Sequence, residues 1–129
     1  MSLAIQPALP RGELIVVSDY PADQAMLAEL NPDDPDSAQR FEIFLNGLEL
    51  ANGFVELTDA VEQARRFAAD RDRRRELGLP DMAADDLLLA ALESGLPECA
   101  GVALGFDRTR RALTGSARLD QSMALVPGR

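Results

Sequence analysis

Two glutamates, Glu42 and Glu49, flank an Asn46-Gly47 dipeptide, and the amide of Asn52 and a third carboxylate, Glu56, follow close behind. Asn-Gly between apolar flanks is a strong short-range signal for a type I′ hairpin turn. A two-residue loop pairs Leu45 with Leu48, Phe44 with Glu49, Ile43 with Leu50 and Glu42 with Ala51. Cross-strand partners share a face. One face is then Ile43, Leu45, Leu48 and Leu50, and the other Glu42, Phe44, Glu49 and Ala51. Diagonal positions put the two glutamate Cβ atoms ~7 Å apart, within bridging reach of one hard cation or its waters. A strand turned to water would carry the same pair. Residues 50–56 add Asn52 and Glu56 beside small residues, a row able to receive a small molecule bearing an amine.

A second constellation is Gly101-Val102-Ala103-Leu104-Gly105-Phe106-Asp107-Arg108. Small residues at alternate strand positions (Gly101, Ala103, Gly105) let a flat ligand approach the backbone, and Arg108 stands at the start of the following helix. Glycine in a strand also serves close packing, and an exposed arginine is commonly just solvated.

The elements that must position these groups can be read from pattern. Residues 1–13, with Pro7, Pro10 and Gly12, form an extended lead-in to a short buried strand at 14–17. Residues 22–30 suit two helical turns, and 31–37, with two prolines and several turn formers, a loop. Residues 41–55 are the hairpin. Asp59 opens a helix running to about Leu77 with Gly78 as its stop, its apolar stripe being Val61, Ala64, Phe67 and Ala68. A second helix covers about 84–94, a small-residue buried strand 99–106, and a last short helix runs from Asp107 to Gly115. The fold class is α+β, with a mainly antiparallel sheet and flanking helices.

Composition removes whole classes of mechanism. The chain has 129 residues, no His, no Trp and one Cys, and its 13 basic residues are all Arg. Histidine general bases, Ser-His-Asp triads, lysine Schiff bases, phosphate-loop lysines and His/Cys zinc sites all lack their side chains. Carboxylates, arginines, amides and backbone remain. A lone thiol fits a reducing compartment, and Cys99 reads as a buried thiol beside its strand. A net charge of −9 argues against duplex DNA as a partner. The longest apolar run, 87–92, is far short of the ~20 residues of a membrane span, and with no leader visible the expected location is cytoplasmic. Asp33, Asp34 and Asp36 read as a plain turn, and the arginines between 65 and 75 as a solvated helix face.

The string from Arg40 to Asp59, followed by the G-x-A-x-G-x-D-R string from Gly101 to Arg108, resembles the C-terminal half of a class II lysyl-tRNA synthetase catalytic core, the second string being that class's motif 3. Within that branch the sequence is most similar to the elongation factor P (R)-β-lysine ligase family, on the run Leu88 to Pro97 and on Ala103 where lysyl synthetases carry Gly. The resemblance implies residues 14–129 as a truncated core, with ATP and Mg²⁺ as cofactors. It makes Glu42 and Glu49 the metal-holding carboxylates and places ATP against Glu42, Glu49, Gly105 and Arg108, with Arg108 on the γ-phosphate as the catalytic residue. Asn52, Glu56, Gly101 and Ala103 become contacts to lysine or β-lysine.

The family reaction this implies is ATP-dependent adenylation of a lysine-type amino acid and its transfer to tRNA or elongation factor P. Motifs 1 and 2 have no counterpart between residues 1 and 129, so the expectation is no turnover by the chain alone. The implied partners are elongation factor P or a complementary synthetase half. A homodimer is expected through the apolar surface left bare. The alternative is a noncatalytic nucleotide-binding, amino-acid-binding or dimerisation module. After Arg108, Thr109-Arg110-Arg111 departs from the apolar helix usual in the family.

Overall fold

The Asn46-Gly47 turn forms as its chemistry requires in the computed structural model, which describes residues 6–123: both residues have positive φ, 54° and 77°, and Leu45 faces Leu48. The strands it joins, Asp34–Leu45 (β3) and Leu48–Val55 (β4), form the middle of a five-stranded antiparallel sheet. Leu14–Pro21 (β1) pairs with β3 at one edge, and Ala100–Leu104 (β5) with β4 at the other; Leu30–Asn31 (β2) adds a short pairing to the start of β3. The α+β class with a mainly antiparallel sheet holds.

The helices begin and end where their caps dictate. Ala60–Glu76 (α1) starts at Asp59, whose carboxylate accepts the amides of Val61 and Glu62, and stops at Gly78 with φ 65°. Asp86–Glu93 (α2) is capped by Asp85 on the Leu88 amide, and Phe106–Thr114 (α3) ends at Gly115 in the left-handed conformation.

Four expectations are corrected. Residues 22–30 form a single 3₁₀ turn at Ala22–Gln24, then irregular chain with a bridge from Ala28 to Glu56, and enter β2 at Leu30. Ala25 and Ala28 pack flat on Ala38, and Glu29 bridges the sheet, donating to the Val55 carbonyl and accepting from the Gln39 amide. Small side chains allowed that approach, and tertiary pairing outweighed helix propensity. The loop at 31–37 shrinks to a turn at Pro32 and Asp33, because Asp34 already faces Asn31 in the ladder. On α1 the packed face is Gln63, Arg66 and Phe67, while Val61 is exposed; Arg66 reaches across to the Met26 and Ala28 carbonyls. Finally, the strands expected to be buried at 14–17 and 99–106 are the open edge strands β1 and β5, and Cys99 is exposed.

The two sheet faces differ. Tyr20, Ala38, Glu42 and Phe44 are buried on one, whereas Leu14, Val16, Val102 and Leu104 on the other are each more than half exposed.

Candidate functional site

The predicted pairing holds for Phe44 with Glu49 and then breaks. Ile43 faces Ala51 and Glu42 faces Asn52, so Leu50 is an extra residue, a β-bulge, in β4. The expected pairs Ile43 with Leu50 and Glu42 with Ala51 are therefore replaced. Side chains alternate with a period of two, so in a regular strand Glu49 and Asn52 would point to opposite faces. The bulge absorbs one position and returns both to the face of Glu42. Phe54 and Glu56 follow by alternation, and Leu50, turned out of the ladder, gives its carbonyl to the Gly105 amide at 2.8 Å.

Register then fixes the rows. Val17, Glu42, Asn52 and Ala103 run side by side across β1, β3, β4 and β5. In the next row Arg40, Phe54 and Gly101 are neighbours, and on the other side Ile15, Phe44 and Glu49. Gly101 leaves room for Glu56 where its carboxylate now lies, because a Cβ there would stand 2.7 Å from Glu56 Oε1 and the carboxylate would have to swing aside. Gly53 has the corresponding role on the opposite face, where the Phe41 ring fills the position of its Cβ.

The polar centre of this face is Arg40, which the sequence pattern does not single out. Its side chain is 10% exposed and pairs with Glu42, equally buried. Nε donates to Asn52 Oδ1 at 3.1 Å and Nη1 to the Gln24 carbonyl at 2.9 Å, and the guanidinium lies 4.4 Å over the Tyr20 ring. Burial, followed by the hydrogen-bonding contact and charge of Glu42, pushes the Tyr20 phenol well above its ordinary range. A signal for Arg40 was present: Arg-Phe-Glu on a strand places two opposite charges on one face, and a buried charge needs its partner.

Arg108 lies at the other end, in the first turn of α3. Nη1 donates to the Glu49 carbonyl at 3.2 Å and stands 3.8 Å from Glu49 Oε1, both side chains being substantially exposed. Gly105, directly before α3, sets this approach, since a Cβ there would come within 3.3 Å of Arg108 Cδ. The departure after Arg108 has a structural use: Arg110 donates to the Ser122 carbonyl, and Arg111 to the carbonyls of Ser116 and Ala117. These arginines tie down the chain that follows α3.

All eight predicted site residues thus meet on or beside one sheet face. Glu42 and Glu49 share it, consistent with a two-carboxylate cation set; among the described residues no cluster of three or more His, Cys, Asp or Glu is built as a closed metal cage. Two carboxylates suit an ion that completes its shell with water and phosphate oxygens. A hollow of about 700 Å³ between residues 22–30, α1 and α2 contains none of these residues. Its Glu62 is already paired with Arg65 and Arg66.

Comparison with known proteins gives the family. Residues 4–126 match the family profile of class II tRNA synthetases (D, K and N). The elongation factor P (R)-β-lysine ligase of Vibrio cholerae is 49% identical over 123 residues, 95% of this chain and 38% of the relative. Those of Mannheimia succiniciproducens and Klebsiella pneumoniae are 48% and 43% identical, over 95% and 99% of this chain and 38% and 39% of the relatives. The chain thus spans less than two fifths of the curated relatives it matches. It belongs to the class II tRNA synthetase family of the aspartyl, lysyl and asparaginyl type.

Proposed function

We propose that this chain carries one half of an adenylate-forming site for a lysine-type amino acid, of the kind named in its elongation factor P (R)-β-lysine ligase relatives. The observation that carries the reading is the bulge-set face, on which Glu42, Glu49, Asn52 and Glu56 converge with Arg108 beside Glu49.

Each residue has a role its chemistry fits. Glu56 has no ion pair among the described residues, so its carboxylate is the partner for a substrate ammonium. Asn52 orients the amino acid beside it. Glu42 and Glu49 would hold Mg²⁺, which supplies charge neutralisation to ATP phosphates. Arg108, open to solvent, offers a fork to the γ-phosphate, and Gly105 leaves room for the nucleotide. Ala103, next to Asn52, trims the pocket by one methyl relative to Gly, a discriminator of ~1 kcal/mol between α-lysine and β-lysine.

In adenylation a substrate carboxylate oxygen attacks the α-phosphorus and pyrophosphate leaves. Positioning and charge neutralisation suffice, which agrees with a chain lacking His and Lys. The groups that grip the α-phosphate are assigned to the share of the relatives that lies outside this span, so the chain alone binds without turnover. Elongation factor P or a complementary synthetase half is the partner of the completed site. The cytoplasm is its proposed location, on the strength of a lone free thiol. Separately, no helix among the described residues is long and apolar enough to cross a membrane.

Calorimetric titration of Mg–ATP and of L-lysine tests this. Saturable Mg–ATP binding abolished by Arg108→Ala and weakened by Glu49→Gln is the expected result. No heat at millimolar nucleotide would leave, of the alternative, an amino-acid-binding or dimerisation module. That second reading has its own support in the exposed Leu14, Val16, Val102 and Leu104, which favour a homodimer; sedimentation velocity decides it, a clean monomer at high concentration counting against.

A further inference from the structure

We infer that Arg40 is the positioning residue that sets the amino-acid end of this site against its cation end; this rests on the reading of the face proposed above. One planar fork reaches three acceptors on three segments: the Glu42 carboxylate on β3, the Asn52 amide oxygen on β4 and the Gln24 carbonyl on the turn that covers the face. The Tyr20 ring closes the fourth side, beneath the guanidinium. Among the described residues no other cation touches this set.

Two consequences follow from the chemistry of the fork. Donation to Asn52 Oδ1 fixes which way the amide is turned, so that its oxygen is committed to Arg40 and its NH₂ group is not. Pairing with Arg40 occupies Oε1 of Glu42. Glu56 is then the one carboxylate at the amino-acid end without a cation of its own among the described residues, which localises the ammonium there instead of spreading it over two acids.

A lysine at position 40 would keep a charge for Glu42, but its single ammonium cannot hold Glu42, Asn52 and the Gln24 carbonyl in one plane. Arg40→Lys therefore separates the two ends. L-lysine affinity is expected to fall about tenfold, the equivalent of ~1.4 kcal/mol, with Mg–ATP affinity held within about twofold. Arg40→Met is expected to lose both. A ligand-free readout accompanies these titrations: the Asn52 side-chain amide signals in a nitrogen–proton NMR spectrum, and the ring signals and near-ultraviolet dichroism of Tyr20. Tyr20 is the one tyrosine in a chain without tryptophan.

Arg40→Lys moving the Asn52 amide and Tyr20 signals in a folded protein, with lysine and Mg–ATP affinities diverging, supports the assignment. Affinities that fall together, or Asn52 signals that superimpose on those of the parent, overturn it. If the parent chain binds neither ligand, the function proposed above fails, and the Asn52 and Tyr20 signals alone decide whether Arg40 positions this face.

Discussion

Arg40 and Arg108 stand at opposite ends of one sheet face and are held in opposite ways. Arg40 is nine-tenths buried and holds two side chains and a backbone carbonyl; Arg108 is 46% exposed and holds its own neighbour's carbonyl at 3.2 Å. The buried end is a finished piece of protein interior, its geometry fixed before any ligand arrives. The solvent end is provisional, with an exposed arginine held only by a 3.2 Å contact to the Glu49 carbonyl and a 3.8 Å approach to its carboxylate. On the function proposed, preorganisation is then concentrated at the end assigned to the amino acid, and the end assigned to phosphate relies on what it binds.

Substitutions that probe each end make the contrast quantitative. Arg40→Met strands a buried carboxylate and is expected to cost ~3 kcal/mol, read as a lower urea midpoint at unchanged slope. Gly53→Ala drives a methyl into the Phe41 ring behind the same row and should cost ~2 kcal/mol in the same assay. Glu62→Gln tests charge away from both ends and should cost ~1 kcal/mol at neutral pH. Hydrogen bonds from Arg65 and then Arg66 hold Glu62 down at about 2, from an ordinary 4.5. A depressed carboxylate stabilises above the unfolded value, so the difference between parent and variant should be intact at pH 6 and vanish as pH falls from about 4.5 to about 2. Arg108→Met, the smallest, should change stability by less than ~0.5 kcal/mol while removing Mg–ATP binding. A large stability loss there would erase the distinction between the two ends.

What was legible in the sequence was local. Asn46-Gly47 demanded its turn, Asp59 its helix start, Gly78 and Gly115 their stops, and each is satisfied by groups within a few residues. The bulge was not legible, because strict alternation continues smoothly through Leu48, Leu50 and beyond; its one trace is the odd spacing between Glu49 and Asn52. Arg40 was missed because nothing nearby in sequence shows that Gln24 and Tyr20 will come over it. The Val61 stripe failed on α1 for a related reason. The groove it meets is lined by the carbonyls of Met26 and Ala28, so an arginine was wanted where an apolar residue was expected.

The extra residue at Leu50 also determines which kinds of genetic change this site withstands. The turn at Asn46-Gly47 pins β4 at one end and pairing with β5 pins it at the other, so a change of length between Glu49 and Asn52 has to be absorbed on the spot. Loss of the Leu50 codon would close the bulge and leave Ile43 opposite Ala51 and Glu42 opposite Asn52, with every carboxylate on its present face. What disappears is the carbonyl that receives the Gly105 amide, and with it the tether of the strand end that leads into α3 and Arg108. A lineage that shed this codon would therefore keep the Arg40 end of the face intact and loosen the Arg108 end. Of the two halves of the face, the one that carries Arg108 is where inheritance of chain length matters most.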